Sequence, residues 1–245
     1  MGSKRLPGKV MKLVDDKNPS LFYTIAQLKS CKSIDKIIVA TTTLSEDDMI
    51  ENYLNNLEID VFRGSPDDVL DRYLKCAEKF NLSTIVRITA DCPLIDPEIV
   101  DNGIEIFKSG NFDYVTNTFP RTFPDGNETE IFTITALKKA WKNSKLPSER
   151  EHVTPYFKTN SESFQIKNFS HDVDISHLRW TVDYNEDLEL VKILLSKIIS
   201  RPIHLGTILK ILDSQPQLIK LNNNHKPNEG YERSLEEDKF FLQKS

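Results

Sequence analysis

The same pattern, Arg-x-Thr-x-Asp, occurs twice in the chain, ending once at Asp91 and once at Asp183. Because side chains on a strand alternate between its two faces, each pattern predicts a strand that ends at its aspartate. Helix-starting signals follow both patterns, at 96–98 and at 184–187. We therefore expect the two aspartates at the carboxyl ends of strands in an α/β fold, which is where open α/β sheets bind ligands.

Two carboxylates that meet at this edge of a sheet suit a hard cation such as Mg²⁺, held together with substrate phosphates. The alternative is that Asp91 and Asp183 each cap the turn that follows. Their occurrence in the same local pattern favours the metal site. The sequence thus predicts Mg²⁺ as a cofactor, with Asp91 and Asp183 as its ligands.

Composition limits the class of protein. The chain has 245 residues, enough to bury one substantial core, and a formal net charge of −5, which argues against general nucleic-acid binding. Its three cysteines have an odd count and no metal-ligand spacing, which indicates a reducing compartment. No apolar run approaches the ~20 residues needed to cross a bilayer, and no signal peptide precedes the first motif. We predict a cytoplasmic protein with no membrane or nucleic-acid partner.

Short β-branched runs alternate with amphipathic stretches along most of the chain. Runs at 36–40 and 60–62 enclose a helical stretch at 47–57, which makes a βαβ unit and hence a parallel sheet. Ser65 is the predicted N-cap of the next helix, since a proline follows it directly. From 215 onward the chain turns polar, and we predict that 215–245 is a polar C-terminal tail, either loosely held or used as an arm that docks on a partner.

Three further segments hold clustered polar side chains. The segment 2–9 combines glycines with Arg5 and Lys9; such a loop can wrap a triphosphate, although a flexible charged terminus would look the same. The stretch 118–130 is a long polar loop of the kind that carries binding function on a rigid scaffold. The stretch 147–156 contains consecutive ionisable residues, which favours a substrate role over a plain helix start.

Taken in order, these segments resemble the spore-coat polysaccharide cytidylyltransferase-like family, which is related to the synthetases of CMP-activated sialic acids and of CMP-KDO. The resemblance covers nearly the whole chain and rests on 2–9, 62–73, 87–97, 124–126, 147–155, 180–188 and, in the tail, 228–231. It implies a nucleotide-diphospho-sugar transferase (Rossmann-like) fold, with a mostly parallel central sheet and flanking helices, in a nucleotidyltransferase domain at 1–214. It also implies a reaction of CTP with a sugar-type acceptor that gives a CMP conjugate and pyrophosphate.

Carried over position by position, the resemblance assigns roles to individual residues. The resemblance implies that Arg5, Lys9 and Asp91 are catalytic residues and that Asp91 and Asp183 bind the metal. The predicted nucleotide-binding residues are Gly2, Ser3, Arg5, Lys9, Gly64 and Ser65. The predicted substrate-binding residues are Asp125, Glu128, Glu130, Arg150 and His152. Relatives are commonly dimers, which makes a homodimer a candidate assembly.

The chain departs from the family pattern at its start. The family has a hydrophobic strand ending in an Ala-Arg pair just before the Gly-Ser of the phosphate loop, and this sequence has neither. The resemblance therefore predicts a sheet that lacks its first strand, which leaves neighbouring backbone groups unpaired at a cost on the order of 1 to 3 kcal/mol each. We expect Met1 to be an internal methionine, with the true start upstream.

Two alternatives stay open. A glycosyltransferase that uses a nucleotide sugar can be built on the same type of sheet, but no Asp-x-Asp metal motif follows a predicted strand, and Asp172 with Asp174 is only a weak match. A non-catalytic truncated relative, which has lost its active site together with the first strand, would bind no nucleotide.

Overall fold

The computed structural model describes residues 1–3, 5–225 and 229–244. Within them, the strands form a parallel pair, β1-β2, and a four-stranded sheet of order β3-β5-β4-β6. β5 is antiparallel to both of its neighbours, whereas β4 and β6 are parallel. The predicted α/β fold is confirmed, with β5 as the antiparallel exception. The strands are β1 (Ile38–Thr42), β2 (Asp60–Gly64), β3 (Thr84–Arg87), β4 (Tyr114–Thr116), β5 (Glu130–Thr133) and β6 (Ile166–Asn168).

Helices flank the sheets on both faces, and none of those described is long and apolar enough to cross a membrane. The α-helices are α1 (Ser20–Leu28), α2 (Asp48–Asn56), α3 (Val69–Lys79), α4 (Pro97–Lys108), α5 (Ile134–Asn143), α6 (Pro147–His152), α7 (Pro155–Thr159), α8 (Asn185–Lys197), α9 (Leu205–Ser214) and α10 (Glu229–Lys244). Short 3₁₀ helices span Lys9–Met11, Ser45–Asp47, Ser161–Ser163 and Pro216–Leu221.

Alternation along β4 and β5 separates two apolar cores on the two faces of the four-stranded sheet. Val115 and Ile131 belong to a first core that also contains side chains of α4, α8 and α9. Tyr114 and Phe132 belong to a second core with side chains of α3, α5 and α7. A third, smaller core joins α1 and α2 to the β1-β2 pair.

In the part of the chain that the structure describes, no ladder of hydrogen bonds joins the two sheets. β1 ends one sheet and β3 ends the other, and a groove lies between them.

The second Arg-x-Thr-x-Asp segment is not a strand, so that prediction is wrong. Arg179 makes one isolated bridge, to Asp125. The amide of Trp180 donates to the carbonyl of Asp125 at 2.8 Å, and the amide of Val182 donates to the carbonyl of Asp91 at 2.8 Å. The segment is held between two loops, and among the described residues no neighbouring strand offers it a continuous ladder.

The first marked strand is shorter than predicted, because β3 ends at Arg87. Thr89 and Asp91 therefore lie beyond the strand, in the segment that leads to α4. Asp91 still lies past the carboxyl end of its strand, where the ligand site was expected.

The predicted polar tail contains regular structure. Residues 216–221 form a 3₁₀ helix, and α10 packs against α6. The amide and hydroxyl of Ser148 donate to the buried carboxylate of Asp238 at 2.9 and 2.6 Å. Buried hydrogen bonds of this kind dock a helix whose composition is polar. Residues 226–228 and 245 of the predicted tail lie outside the described residues, and the predicted division into domains stays a prediction.

Candidate active site

Four residues that the sequence singles out meet at one point. The ammonium of Lys9 donates to Oδ1 of Asp183 at 2.7 Å and also to Oδ2 of Asp91. The guanidinium of Arg5 donates to the same Oδ1 of Asp183 at 2.6 Å. The two aspartates therefore face a shared cation, as expected for residues that meet at the carboxyl edge of the fold.

The N-terminal loop, described at residues 1–3 and 5–9, presents these two cations because it folds back on Met1. The amides of Ser3 and Gly8 both donate to the carbonyl of Met1, at 3.0 and 3.1 Å. Gly8 has a φ of 68°, a left-handed conformation that favours glycine. The amino group of Met1 binds Asp47 at 2.5 Å, which fixes the other end of the loop.

The threonines of the two motifs meet at one cysteine. Thr89 Oγ1 lies 3.1 Å from Cys92 Sγ, and Thr181 Oγ1 lies 4.0 Å from the same sulfur. Thr181 also donates to the carbonyl of Asp91 at 3.3 Å. The repeated pattern thus brings its two copies side by side. Burial, followed by the charge of Asp91, raises the pKa of Cys92 well above its usual value, so the thiol stays protonated.

Arg179 fixes the orientation of Asp183. Its buried guanidinium donates to Oδ2 of Asp183 at 2.9 Å, to Asp125 at 2.5 Å and to Asp187 at 3.0 Å. Oδ2 of Asp183 therefore faces Arg179, which leaves Oδ1 directed at Lys9 and Arg5. This orienting contact was not foreseen, although Arg179 belongs to the repeated motif.

The charge states of Asp91 and Lys9 depend on the charged groups around them. Burial acts to raise the pKa of Asp91, but the charge of Lys9 together with hydrogen bonds from Lys9 and Thr89 lowers that pKa to about 2. Burial likewise acts to lower the pKa of Lys9, whereas Asp91 and Asp183 reverse the effect and raise it above its ordinary range. At neutral pH the carboxylate of Asp91 is therefore ionised and the ammonium of Lys9 is charged.

The donor set fits Mg²⁺. Carboxylates of Asp91 and Asp183 both reach the one ammonium of Lys9, so the oxygens of both lie within reach of a single cation. Oxygen ligands of this kind are those that Mg²⁺ prefers. A second group of potential ligands, Asp96, Glu98 and His204, lies at the start of α4. There Asp96 caps the helix by accepting from the amide of Glu98 at 2.9 Å, which accounts for it without a metal.

Gly64 and Ser65 lie at the end of β2. A side chain at Gly64 would place its Cβ 2.8 Å from Cγ of Arg72, so the close approach requires glycine. Arg72 in turn donates to the carbonyl of Ser65 at 2.5 Å. The N-cap of α3 is Asp68, which accepts from the amide of Asp71 at 2.8 Å, and not the predicted Ser65. The nucleotide-binding role of Gly2, Ser3, Gly64 and Ser65 stays a prediction.

Asp125 and Glu128 lie in the long polar loop, beside Arg179. Asp125 accepts from Arg179, and Glu128 forms an ion pair with Arg121 at 2.8 Å. Gly126 has a φ of 109°, and a Cβ there would lie 2.8 Å from the amide nitrogen of Thr181. Burial and the charge of Asp125 raise the pKa of Glu128 to about 8. Of the predicted substrate-binding residues, these two are connected to the aspartate centre.

Glu130 belongs to a separate buried network. Its carboxylate pairs with Arg87 at 2.5 Å and accepts from Tyr114 and Thr154 at 2.5 and 2.7 Å. Burial acts to raise the pKa of Glu130, but the charges of Arg87 and Lys158, with the hydrogen bonds from Tyr114 and Thr154, lower the pKa to about 2. All of these contacts are internal to the second core.

Arg150 and His152 are held by other parts of the protein. Arg150 Nε donates to Asp68 at 2.9 Å, and its Nη1 donates to the carbonyl of Trp141 at 2.8 Å. His152 Nε2 lies 3.0 Å from the hydroxyl of Ser234 on α10. The structure does not bring these two side chains, or Glu130, into contact with Asp91 or Asp183, and their substrate roles stay predictions.

The C-terminal helix reaches the site, which no sequence pattern indicated. Glu229, the first residue of α10, accepts a hydrogen bond from the hydroxyl of Tyr184 and lies 3.7 Å from the guanidinium of Arg5. The guanidinium of Arg5 also lies over the ring of Tyr184, at 5.4 Å from its centroid. Arg5 is therefore shared between Asp183, Tyr184 and α10.

Three proteins are similar to this chain in sequence or in fold. It is 36% identical to the cytidylyltransferase from Leptospira borgpetersenii serovar Hardjo-bovis, with a TM-score of 0.86, over 92% of this chain and 94% of that one. It is 30% identical to the spore coat polysaccharide biosynthesis protein SpsF of Bacillus subtilis, over 88% of this chain and 92% of the relative. The structure of CMP:2-keto-3-deoxy-manno-octonic acid synthetase with CTP shares the fold, at 15% identity and a TM-score of 0.61, over 80% of this chain and 95% of that one.

The family model for cytidylyltransferases matches residues 1–223, a span that includes Arg5, Lys9, Asp91 and Asp183. The family model and the Leptospira relative agree on a cytidylyltransferase, which is a nucleotidyltransferase. The chain belongs to the cytidylyltransferase family.

Proposed function

We propose that this protein transfers CMP from CTP to a sugar-type acceptor and releases pyrophosphate. The observation that carries the proposal is the contact of Lys9 with both Asp91 and Asp183, with Arg5 on the same carboxylate. Membership of the cytidylyltransferase family supports it, as does the shared fold with a CMP-sugar-acid synthetase solved with CTP. The name of the Bacillus subtilis relative points to polysaccharide biosynthesis as the use of the product.

In the proposed reaction an acceptor oxygen attacks the α-phosphorus of CTP in line with the leaving group. A bond forms between that oxygen and phosphorus, and the bond from the α-phosphorus to the bridging oxygen of pyrophosphate breaks. Arg5 and Lys9 exchange aspartate oxygens for phosphate oxygens and neutralise charge on the leaving pyrophosphate. When bound by Asp91 and Asp183, Mg²⁺ supplies further positive charge at the phosphate oxygens.

The direct test is pyrophosphate release. The protein is incubated with Mg²⁺, one of CTP, UTP, ATP or GTP, and a panel of sugar phosphates and sugar acids. We expect release with CTP to exceed release with the other nucleotides by at least about tenfold, to require an acceptor, and to stop when EDTA removes the metal. Transfer from a nucleotide sugar without pyrophosphate would instead identify a glycosyltransferase. Absence of turnover and of nucleotide binding would identify a non-catalytic relative.

We further propose a cytoplasmic location and a homodimer. The three cysteines are free thiols, in support of a reducing compartment. α10 exposes Leu235, Phe240 and Leu242, which supports an apolar contact between two copies. Light scattering on the purified protein measures the mass in solution, and a monomer at all concentrations would contradict the dimer.

A further inference from the structure

The helix α10 brings a third carboxylate to the two cations of the candidate active site. Oε2 of Glu229 lies 3.7 Å from Nη1 of Arg5, whose Nη2 donates to Oδ1 of Asp183 at 2.6 Å. Arg5 therefore faces one carboxylate of the proposed metal site and one carboxylate of α10. Glu229 belongs to the tail stretch 228–231, which carries part of the family resemblance but has no role in the proposed reaction.

Tyr184 holds the cation and this carboxylate together. Its hydroxyl donates to Oε2 of Glu229, and the guanidinium of Arg5 lies over its ring, at 5.4 Å from the centroid. The ring of His225 stacks on Tyr184, with 3.7 Å between the centroids and 4° between the planes. Because Tyr184 follows Asp183 directly in the chain, Glu229 is held in a defined position next to the proposed metal site.

Charge makes Glu229 a competitor of phosphate. The side chains of Arg5 and Glu229 are 24% and 27% exposed, so water and salt screen their interaction less than they screen a pair on the open surface. In the proposed reaction Arg5 exchanges aspartate oxygens for phosphate oxygens. A phosphate oxygen at Nη1 of Arg5 would lie beside the carboxylate of Glu229, and two negative charges at such a distance repel each other. Phosphate and Glu229 therefore compete for Nη1.

The attachment of α10 allows this exchange. Further along the helix, the buried carboxylate of Asp238 accepts from the amide and the hydroxyl of Ser148 at 2.9 and 2.6 Å. Ser234, between Glu229 and Asp238, donates to Glu151 at 2.7 Å. These contacts hold α10 on α6 without the participation of Glu229. Because the end of a helix opens more easily than its middle, Glu229 can leave Arg5 while the rest of α10 stays docked.

We propose that Glu229 competes with pyrophosphate for Arg5 and thereby speeds the release of pyrophosphate from the product complex. This role rests on the proposed function, because Arg5 must bind the leaving phosphates. When CTP binds, its phosphates displace the carboxylate from Nη1. After the bond from the α-phosphorus to the bridging oxygen has broken, the carboxylate returns to Nη1. Pyrophosphate then loses one of its cations and dissociates.

The test measures the binding of pyrophosphate to the full chain in the presence of Mg²⁺, which needs no turnover. Glu229→Gln removes the charge and keeps both the size of the side chain and an acceptor for Tyr184. We expect its dissociation constant for pyrophosphate, from titration calorimetry, to be about three- to tenfold below that of the native chain. The dissociation rate of labelled pyrophosphate, chased with unlabelled pyrophosphate, should fall by a similar factor. Glu232→Gln removes an exposed carboxylate from the same helix and should match the native chain in both measurements.

Two further measurements assign the effect to charge and to Arg5. The difference between Glu229→Gln and the native chain should shrink as NaCl is raised from about 0.02 to about 0.5 M, because ions screen the competing charge. Arg5→Met should weaken the binding of pyrophosphate by about tenfold or more. When Arg5→Met is already present, Glu229→Gln should change the dissociation constant by less than about twofold, since the cation in competition is gone.

Several results would overturn the proposal. Weaker binding of pyrophosphate by Glu229→Gln would mean that Glu229 holds Arg5 in place for phosphate and does not compete with it. Binding equal to that of the native chain would mean that there is no competition. Tightening that persists together with Arg5→Met would mean that the carboxylate acts without Arg5. If Arg5→Met alone binds pyrophosphate as the native chain does, the role of Arg5 in the proposed function is wrong, and the role of Glu229 falls with it.

Discussion

Lys9 is the residue on which the charge balance of the site depends. Its ammonium contacts both aspartates, and each carboxylate has a further contact: Asp183 accepts from Arg179, and Oδ1 of Asp91 accepts from the thiol of Cys92 at 3.7 Å. The carboxylates are therefore oriented by groups other than the cation between them. Second contacts of this kind orient ligands before a metal arrives.

Replacement of Asp91 should separate catalysis from folding. In Asp91→Asn the backbone contact with Val182 remains, so the protein should still fold, although loss of the ion pair with Lys9 should lower the unfolding midpoint. The lost charge should lower the rate of pyrophosphate release by about 100-fold or more. The rate is measured with CTP and Mg²⁺, and Asp172→Asn, at an exposed aspartate, serves as the control. Turnover of Asp91→Asn equal to that of the control would refute the assigned role.

Glu128 should make stability depend on pH. Its folded-state pKa of about 8 lies above the ordinary value of 4.5, so the folded state holds the proton more tightly than the unfolded state. Stability contributed by the protonated group is fully present below pH 4.5 and is lost as pH rises through about 8. Glu128→Gln lacks the titrating carboxyl, so its stability does not fall over this pH range for this reason. The free energy of unfolding of Glu128→Gln minus that of the native chain should therefore increase between pH 5 and pH 9, by on the order of 1 to 3 kcal/mol.

The measurement is a series of thermal unfolding midpoints across that pH range. Glu162→Gln, at an exposed glutamate, provides the comparison and should show no such trend. A difference between Glu128→Gln and the native chain that stays constant with pH would contradict the raised pKa.

At the scale of elements, α10 is a polar helix held by specific hydrogen bonds. Asp238 accepts twice from Ser148, and Ser234 donates to Glu151 at 2.7 Å. Asp238→Ala leaves the buried groups of Ser148 without this acceptor, which costs about 1 to 3 kcal/mol. We expect α10 to detach before the rest of the protein unfolds, so that protease cleavage within 229–244 becomes faster.

Limited proteolysis followed by mass spectrometry checks this outcome. Glu236→Ala removes an exposed carboxylate from the same helix and should leave the cleavage rate unchanged. If Asp238→Ala and Glu236→Ala are cleaved equally slowly, the contact with Ser148 does not hold the helix.

The same elements show what the sequence can and cannot predict. Strands β1 and β2 and the helix between them follow from short-range periodicity, and the structure contains all three. The segment ending at Asp183 carries the same pattern as the one ending at Asp91, yet it forms no strand, because pairing depends on which chain lies beside it. The order of α10 depends on Ser148, far away in sequence, and no local pattern reports such a partner.

The candidate active site likewise contains some contacts that the sequence predicts and others that it does not. Asp91 and Asp183 were predicted to meet because strand ends gather at one edge of an α/β fold, and they share Lys9 in the structure. The contact of Glu229 with Arg5 was not predicted, because it depends on how the C-terminal helix returns across the molecule. Residues that act within one motif are visible in sequence, whereas those brought together by docking of distant segments are not.

At the scale of the whole molecule, the N-terminal loop connects the two sheets. Met1 binds Asp47 beside β1, and Lys9 binds Asp91 and Asp183 beyond the four-stranded sheet. A nucleotide held by this loop would therefore contact both halves of the fold. Because a ligand that binds the folded state alone stabilises it, such a nucleotide should raise the stability of the protein as a unit.

We expect CTP with Mg²⁺, at a hundred times its dissociation constant, to stabilise the protein by about 2.7 kcal/mol, which is a rise of about 5 to 10 °C in the unfolding midpoint. UTP, ATP and GTP, and CTP with EDTA, should each give a smaller shift. In Lys9→Met the loop loses its phosphate-binding ammonium, so the shift with CTP should fall to the level of the other nucleotides. Lys17→Met, at an exposed lysine near the same loop, should keep the full shift. A CTP shift that Lys9→Met leaves intact would mean that the nucleotide binds elsewhere, and the N-terminal loop would then have no part in holding it.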